Sequence, residues 1–324
     1  MINKNQKIYL AGHNGMVGAA ISNQLNSAGY KNLVTKDRKS LDLTNQDDVR
    51  RFLETEKPDW VILAAAKVGG ISANDTYPAE FIYENLMIEA NVIHQSFQSD
   101  IKNLIFLGSS CIYPRLCPQP IKENYLLEGP LEPTNEPYAI AKIAGIKLCQ
   151  SYNRQYSTNF RCLMPTNLYG EKDNFHLENS HVIPALLSKF HEAKVKGSDF
   201  VEVWGSGQVM REFMHVDDLA KACLFMMQLE VDSPEYITLK KKSHINVGMG
   251  KDISIYQLSK IIKKIVGFEG KIEFNKDMPE GTPRKLLDVS CLQALGWNAS
   301  IELEEGLSNV YEWYKENIED LRKV

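Results

Sequence analysis

Residues 7–18 read KIYLAGHNGMVG, and this stretch decides the fold. Lys7–Leu10 is a short apolar segment with strand character, and from Gly15 to Ser27 the apolar residues Val17, Ile21 and Leu25 recur at helical spacing, ending before Gly29. Between them stand Gly12, Gly15 and Gly18 in G-x-x-G-x-x-G spacing. Glycines there let the backbone turn tightly and approach a pyrophosphate, whose charge then rests on the free amides at the N-terminus of the following helix. The alternative is a tight turn without a ligand. A glycine triplet placed between a predicted strand and a predicted helix is the context that a phosphate-binding turn requires.

Further along, Asn32–Thr35, Trp60–Leu63, Leu104–Leu107 and Arg161–Met164 read as strands. Helical patterns separate them: one from about Asn45, with Thr44 as its expected N-cap, one from Pro78 to about Ser99, and one from Glu136 to about Tyr156. Apolar strands alternating with helices predict an α/β chain with a doubly wound parallel sheet of the Rossmann type. The second half loses this rhythm. Glycines cluster in VWGSGQ (203–208), and a basic, Pro-containing stretch, MPEGTPRK, occupies 278–285. A helix is expected from about Phe213 to Met227, with Asp217 and Asp218 near its start, and a further strand at His244–Gly248. The expected division is a nucleotide-binding domain over 1–170, with segments near 213–232 and 243–249 returning to it. The rest of 171–324 then forms a second, smaller α/β substrate domain.

The chain has 324 residues, 44% hydrophobic and 24% charged, which excludes a disordered or fibrous protein. Its 37 basic and 41 acidic residues give a net charge of −4, leaving no electrostatic excess for gripping a nucleic-acid backbone. A local basic patch for a small phosphorylated ligand stays open. The six cysteines (Cys111, Cys117, Cys149, Cys162, Cys223, Cys291) show no C-x-x-C and no metal-ligand spacing, so no metal site and no disulfide framework are expected. The longest purely apolar run, Trp60–Ala66, is far short of a membrane span, and the first residues lack the apolar stretch of a signal peptide. The expectation is a protein of the cytoplasm, with neither membrane nor nucleic acid as partner.

NAD-binding sheets usually place an acid after the second strand to hold the ribose hydroxyls. Here that corner reads Lys36-Asp37-Arg38-Lys39, and its cations favour the extra phosphate of NADP(H), with Arg38 the leading contact. Tyr138 and Lys142 lie four apart on one predicted helix and so share a face. A phenol beside an ammonium is expected to have a lowered pKa and to deliver a proton to a carbonyl oxygen undergoing reduction. Gly108-Ser109-Ser110 follows a predicted strand, where a hydroxyl could polarise the same carbonyl. Alone, Tyr-x-x-x-Lys is a common surface pair; its order after the glycine turn and the strand-end serines gives it weight.

That order resembles the extended short-chain dehydrogenases/reductases. The segments SSCIYP (109–114), EPTNEPYAIAKIAGIKLC (132–149), MPTNLYG (164–170), NSHVIPALL (179–187), VWGSG (203–207), REFMHVDDLA (211–220) and GTPRKLLDV (281–289) resemble, within that group, the GDP-L-fucose synthase family. The resemblance implies NADP(H) as cofactor, GDP-4-keto-6-deoxy-D-mannose as substrate, and a homodimer built from two long helices per subunit. It makes Ser109, Tyr138 and Lys142 the reductase triad. It places Gly12, His13, Asn14, Gly15, Met16, Val17, Gly18, Leu107, Gly108, Ser109, Ser110, Lys142, Pro165, Thr166, Asn167, Leu168 and His181 along the cofactor.

The same resemblance assigns Cys111 and His181 to proton exchange at sugar carbons 3 and 5, which needs a base and an acid on opposite faces. A thiolate can serve as the base, and His181 is expected to serve as an acid near neutral pH. Taken singly, Cys111 also reads as a small buried hydrophobe and His181 as a loop histidine. Lys189, Trp204, Arg211 and Glu280 match positions that hold the GDP-sugar; relatives often carry Asp where Glu280 stands. Three rival readings remain: another GDP-keto-deoxysugar epimerase/reductase of the same family, an epimerase or dehydratase that recycles its bound cofactor, and a non-catalytic NADP(H)-sensing protein. Dehydratase relatives carry an acid pair just beyond the strand-end serine, and here that place holds Cys111.

Overall fold

The computed structural model describes residues 3–176, 180–230, 242–278 and 281–321. In its first half, β1 (Ile8–Ala11), α1 (Met16–Ser27), β2 (Leu33–Val34), α2 (Gln46–Glu56), β3 (Trp60–Leu63), α3 (Ile71–Thr76), α4 (Pro78–Gln98), β4 (Asn103–Leu107), α5 (Glu136–Tyr156) and β5 (Asn159–Pro165) follow one another. Then come β6 (Asn167–Tyr169), α6 (Val182–Lys196), β7 (Phe200–Trp204), β8 (Met210–His215), α7 (Val216–Gln228) and β9 (Ile245–Val247). The chain continues through β10 (Asp252–Ser254), α8 (Ile255–Val266), β11 (Lys271–Asn275), β12 (Arg284–Lys285), α9 (Ser290–Ala294) and α10 (Leu303–Asn317).

The main sheet has the order β2-β1-β3-β4-β5-β9, and every pairing in it is parallel. Both faces are covered, as the unbroken apolar strands require. Side chains alternate across the sheet, so Ile8 and Leu10 of β1 enter one core layer with α1 and α7, while Tyr9 and Ala11 enter the other with α2, α4 and α5. The strand order reverses between β1 and β3, since β2 lies to one side of β1 and β3 to the other. Ligands of open α/β sheets sit outside the carboxyl ends of the strands at such a reversal.

Two local expectations are corrected. Asn45, not Thr44, caps α2: its side chain accepts from the amides of Asp47 (3.0 Å) and Asp48 (3.3 Å), while the Thr44 hydroxyl donates to Asp42. Phe213–His215 belong to strand β8 rather than to a helix, and α7 begins at Val216 with the His215 ring accepting from the Asp217 amide at 3.3 Å. Pairing partners decided this, because β8 lies between β10 and β12 and also pairs with β6. The short helix α3 was not anticipated from sequence.

The second domain gathers smaller sheets. β10-β8-β12 with β6 forms one, and β7 with β11 another. Helices α6, α8 and α10 enclose a third apolar core that includes Leu187, Phe190, Leu258, Ile262 and Leu307. Among the described residues no helix is long and apolar enough to cross a membrane.

Candidate active site

The turn after β1 is built by close approach. Gly12 has φ +89°, and a Cβ there would sit 2.7 Å from the amide nitrogen of Ala65, at the exit of β3. A Cβ on Gly18 would collide with the carbonyl of Gly12, so α1 can lie against the turn only with glycine at this position. Gly15 is less crowded: a Cβ there would meet only Gly12 O, at an ordinary van der Waals distance of 3.6 Å. Gly15 is the N-cap of α1, which has no side-chain cap and no acid in its first turn, and so presents free amides. Close by in sequence, the Nδ1 of His13 is buried without a hydrogen-bond partner. An open cradle, free amides and an orphaned polar atom fit a dinucleotide pyrophosphate.

In the basic corner, Asp37 is turned into its own loop, accepting from the Ser40 amide at 2.8 Å, and hydrogen bonds from Ser40 hold its carboxyl below the ordinary range. Arg38 projects, its side chain 78% exposed, and touches Glu84 of α4 at 3.3 Å. Lys67 bridges the same carboxylate at 2.6 Å. The most projecting charge of this corner that the contacts describe is thus a guanidinium.

Ser109 ends the loop after β4, and its Oγ accepts from the Cys111 amide at 3.3 Å across a single 3-10 turn. Tyr138 and Lys142 share one face of α5, with the Lys142 ammonium 5.7 Å from the centre of the Tyr138 ring. Lys142 is only 2% exposed; it pairs with Glu89 of α4 at 3.0 Å and donates to Leu107 O at 3.1 Å. The lowered phenol pKa expected from sequence is not found: burial, then the charges of Cys111 and Glu89, push Tyr138 well above its ordinary value. The phenol stays protonated, ready to donate. Pro165 ends β5; beyond it the Thr166 amide donates to Val247 O at 2.9 Å and the Asn167 side chain to Glu212 O at 2.8 Å.

Cys111 is half-buried, and its sulfur lies 3.7 Å from the ammonium of Lys285. Sequence reading did not single out Lys285, although it lies in the basic stretch 278–285 and in the family-like segment 281–289. Its position is enforced from several sides. Lys285 pairs in register with Arg211 across β12 and β8. Gln119 receives the Leu286 amide at 2.9 Å, and the buried Glu212 carboxylate accepts from Leu287 at 2.9 Å and Gly250 at 2.7 Å. Cys111, Lys285, Gln119, Glu132 and Asn135 line one cavity.

His181 caps the N-terminus of α6. The residue keeps an exposed surface, yet crowding of its ring by protein, then the charge of Lys285, hold its pKa below the ordinary histidine value. At neutral pH its ring is therefore neutral imidazole, which weakens it as the acid expected from sequence. Farther out, the Lys189 ammonium lies 5.1 Å over the Trp204 ring and reaches Glu202 O at 3.4 Å. Arg211 donates to Met210 O at 2.8 Å and stands beside Lys285. Glu280 lies outside the described residues. Among the described residues no cluster of His, Cys, Asp and Glu is arranged to hold a metal ion.

A phosphate-binding glycine turn, a projecting arginine and a Tyr-Lys pair beside a strand-end serine define a nucleotide-dependent oxidoreductase of the short-chain dehydrogenase/reductase class. The chain belongs to the NAD dependent epimerase/dehydratase family, whose sequence profile matches residues 8–248. It is 56% identical over 317 residues to the GDP-L-fucose synthase of Escherichia coli K12, covering 98% of this chain and 99% of that protein. It is 54% identical over 318 residues to GDP-L-fucose synthase 1 of Arabidopsis thaliana, covering 98% and 96%. Among solved structures, a GDP-mannoheptose C4 reductase from Campylobacter jejuni with NADP bound superimposes with a TM-score of 0.88 at 43% identity, over 97% of this chain and 100% of that one.

Proposed function

We propose that this protein converts GDP-4-keto-6-deoxy-D-mannose to GDP-L-fucose by 3,5-epimerisation followed by NADPH-dependent reduction at carbon 4. The observation that carries the reading is Cys111 with the Lys285 ammonium 3.7 Å from its sulfur, one turn beyond Ser109. A plain reductase has no use for a thiol and a partner cation there, whereas proton exchange next to a ketone needs a base.

Residues of the glycine turn, Arg38, Leu107–Ser110 and Pro165–Leu168 bind the cofactor, NADP(H), which when bound supplies the hydride. Lys189, Trp204, Arg211 and Glu280 hold the GDP-sugar, with cations toward its diphosphate. Ser109 and Tyr138 donate hydrogen bonds to the 4-keto oxygen and stabilise the charge that gathers there as Cys111 takes a proton from carbon 3 or 5. His181 works from the opposite face as a neutral relay, one ring nitrogen giving a proton to the carbon as the other takes one from water, with the hydroxide so formed neutralised by solvent. In the reduction Tyr138 gives its proton to the oxygen at carbon 4, and Lys142 orients the phenol and the cofactor ribose.

Residues 1–170 with the returning segments serve the cofactor, and the remainder serves the sugar nucleotide. The long helices α4 and α5 carry exposed Tyr83 and Ile140, which suit a homodimer face. All six cysteines are free, which suits the reducing cytoplasm. The test is incubation with NADPH and GDP-4-keto-6-deoxymannose, with NMR of the product. GDP-L-fucose supports the reading; a product reduced at carbon 4 without inversion at carbons 3 and 5 replaces it with a simple C4 reductase, and no NADPH consumption removes both.

A further inference from the structure

α4 and α5 pack side by side, and their contact contains a buried ion pair that the reaction above leaves unexplained. Glu89 and Lys142 are each 2% exposed and lie 3.0 Å apart. Burying two charges costs desolvation that their mutual attraction only partly offsets, so a retained buried pair calls for a reason. The chain also makes room for the carboxylate at some cost to the helix. Gly145 stands inside the 21-residue α5, where glycine is less favourable than alanine by ~1 kcal/mol. A Cβ on Gly145 would lie 2.7 Å from a Glu89 carboxylate oxygen and hard against the Phe106 ring. The glycine is the notch that seats Glu89.

An ammonium has three N–H donors. Lys142 gives one to Leu107 O at 3.1 Å, and its charge lies 3.0 Å from a Glu89 carboxylate oxygen and 4.9 Å from the centre of the Phe106 ring. These contacts hold the long side chain in place beside Tyr138. We infer that Glu89 is a positioning residue of the reductase: a buried counter-charge that holds the Lys142 ammonium in one rotamer beside Tyr138. The inference rests on the assignment of Tyr138 and Lys142 proposed above.

The charged and titratable groups around Glu89 are Lys142, Tyr138 and Cys149, all on α5; Cys149 in turn faces Cys162 of β5. Burial pushes the Glu89 carboxyl up to about 7, with Lys142 opposing the rise, and the Glu89 charge adds to what keeps the Tyr138 phenol protonated. Neutralising Glu89 should therefore change how the rate depends on pH, which a merely structural contact would not do.

The experiment is a pH profile of NADPH-dependent reduction for the full-length protein and Glu89→Gln, a near-isostere that keeps the fit in the notch. The expected result is a roughly tenfold fall in kcat, smaller than loss of the acid itself, with the KM for the GDP-sugar within about twofold. The alkaline limb should move to lower pH by about one unit, because the phenolate is no longer opposed by a neighbouring carboxylate. Glu89→Asp, which restores the charge, should return the limb toward its original position. If Glu89→Gln does not fold, Gly145→Ala is the second variant: it keeps both charges but displaces the carboxylate, and should lower kcat without raising KM. A wild-type kcat and pH profile in whichever variant folds overturns the inference. Tyr138→Phe, run alongside, separates the readings: full activity there sinks the Tyr138–Lys142 assignment, whereas loss there with wild-type behaviour at Glu89 removes only the role of Glu89.

Discussion

Lys285 sets its ammonium 3.7 Å from the sulfur of Cys111 although the two are 174 positions apart in the chain. The pair exists because β12 lies beside β8 and because Gln119 and Glu212 fasten the segment after Lys285 to the loop after β4 and to the second domain. A thiol and the cation beside it thus come from segments far apart in the sequence.

Cys111→Ser should abolish solvent-deuterium incorporation at carbons 3 and 5, because a hydroxyl is far less acidic than a thiol. Hydride transfer does not use the thiol, so NADPH consumption should persist and yield a GDP-6-deoxyhexose of unchanged configuration at those carbons. Lys285→Met should slow the same exchange without removing it. Wild-type labelling in Cys111→Ser, read by NMR after reaction in deuterated water, would return Cys111 to a packing role.

Tyr138→Phe removes the proton donor and should cut reduction by roughly 100-fold or more, the scale of general acid catalysis. Substrate affinity should stay nearly intact, since the ring and its edge-on contact with Phe81 remain. Stopped-flow monitoring of NADPH absorbance, with binding measured separately, tests both halves of the statement.

Arg38→Ala should weaken NADPH binding by about 1.5–3 kcal/mol, the worth of a charge-assisted contact, and leave NADH binding nearly unchanged. Asp37 keeps one carboxylate oxygen on the Ser40 amide at 2.8 Å and carries no group that could replace a cation at a phosphate. Equal losses for both cofactors, measured by fluorescence titration, would assign the corner another task.

Asp173 supplies a pH prediction. It is 8% exposed, one carboxylate oxygen has no partner, and burial raises its pKa to about 7, against the hydrogen bond from the Asn174 amide. A carboxyl whose folded pKa lies above its unfolded value favours the fold fully only below the unfolded value, and that contribution is lost as pH rises toward 7. Asp173→Asn should accordingly be more stable than wild type at pH 8, by on the order of 2 kcal/mol, with the gain shrinking toward pH 5. Urea unfolding at the two pH values checks this; a gain that does not vary with pH refutes it.

What the sequence determined by itself is whatever depends on neighbours a few positions away. Strand Trp60–Leu63 and helix Glu136–Tyr156 were read with the bounds the structure has, because a buried strand and a Pro-initiated amphipathic helix are local patterns. The glycine turn was legible for the same reason, and Tyr138 with Lys142 because helical spacing alone puts them on one face. Tertiary structure decided the rest. Residues Phe213–His215 became strand because β10 and β12 offered pairing edges. The Tyr138 phenol moved up rather than down because folding buries it, and because the charges of Cys111 and of Glu89, on another helix, add to the rise. His181 lost its cationic character to crowding and to Lys285, and Lys285 itself was not singled out as a site residue. Charge, desolvation and strand pairing act through space over a few ångströms, and chain folding alone sets which distant residues come that close.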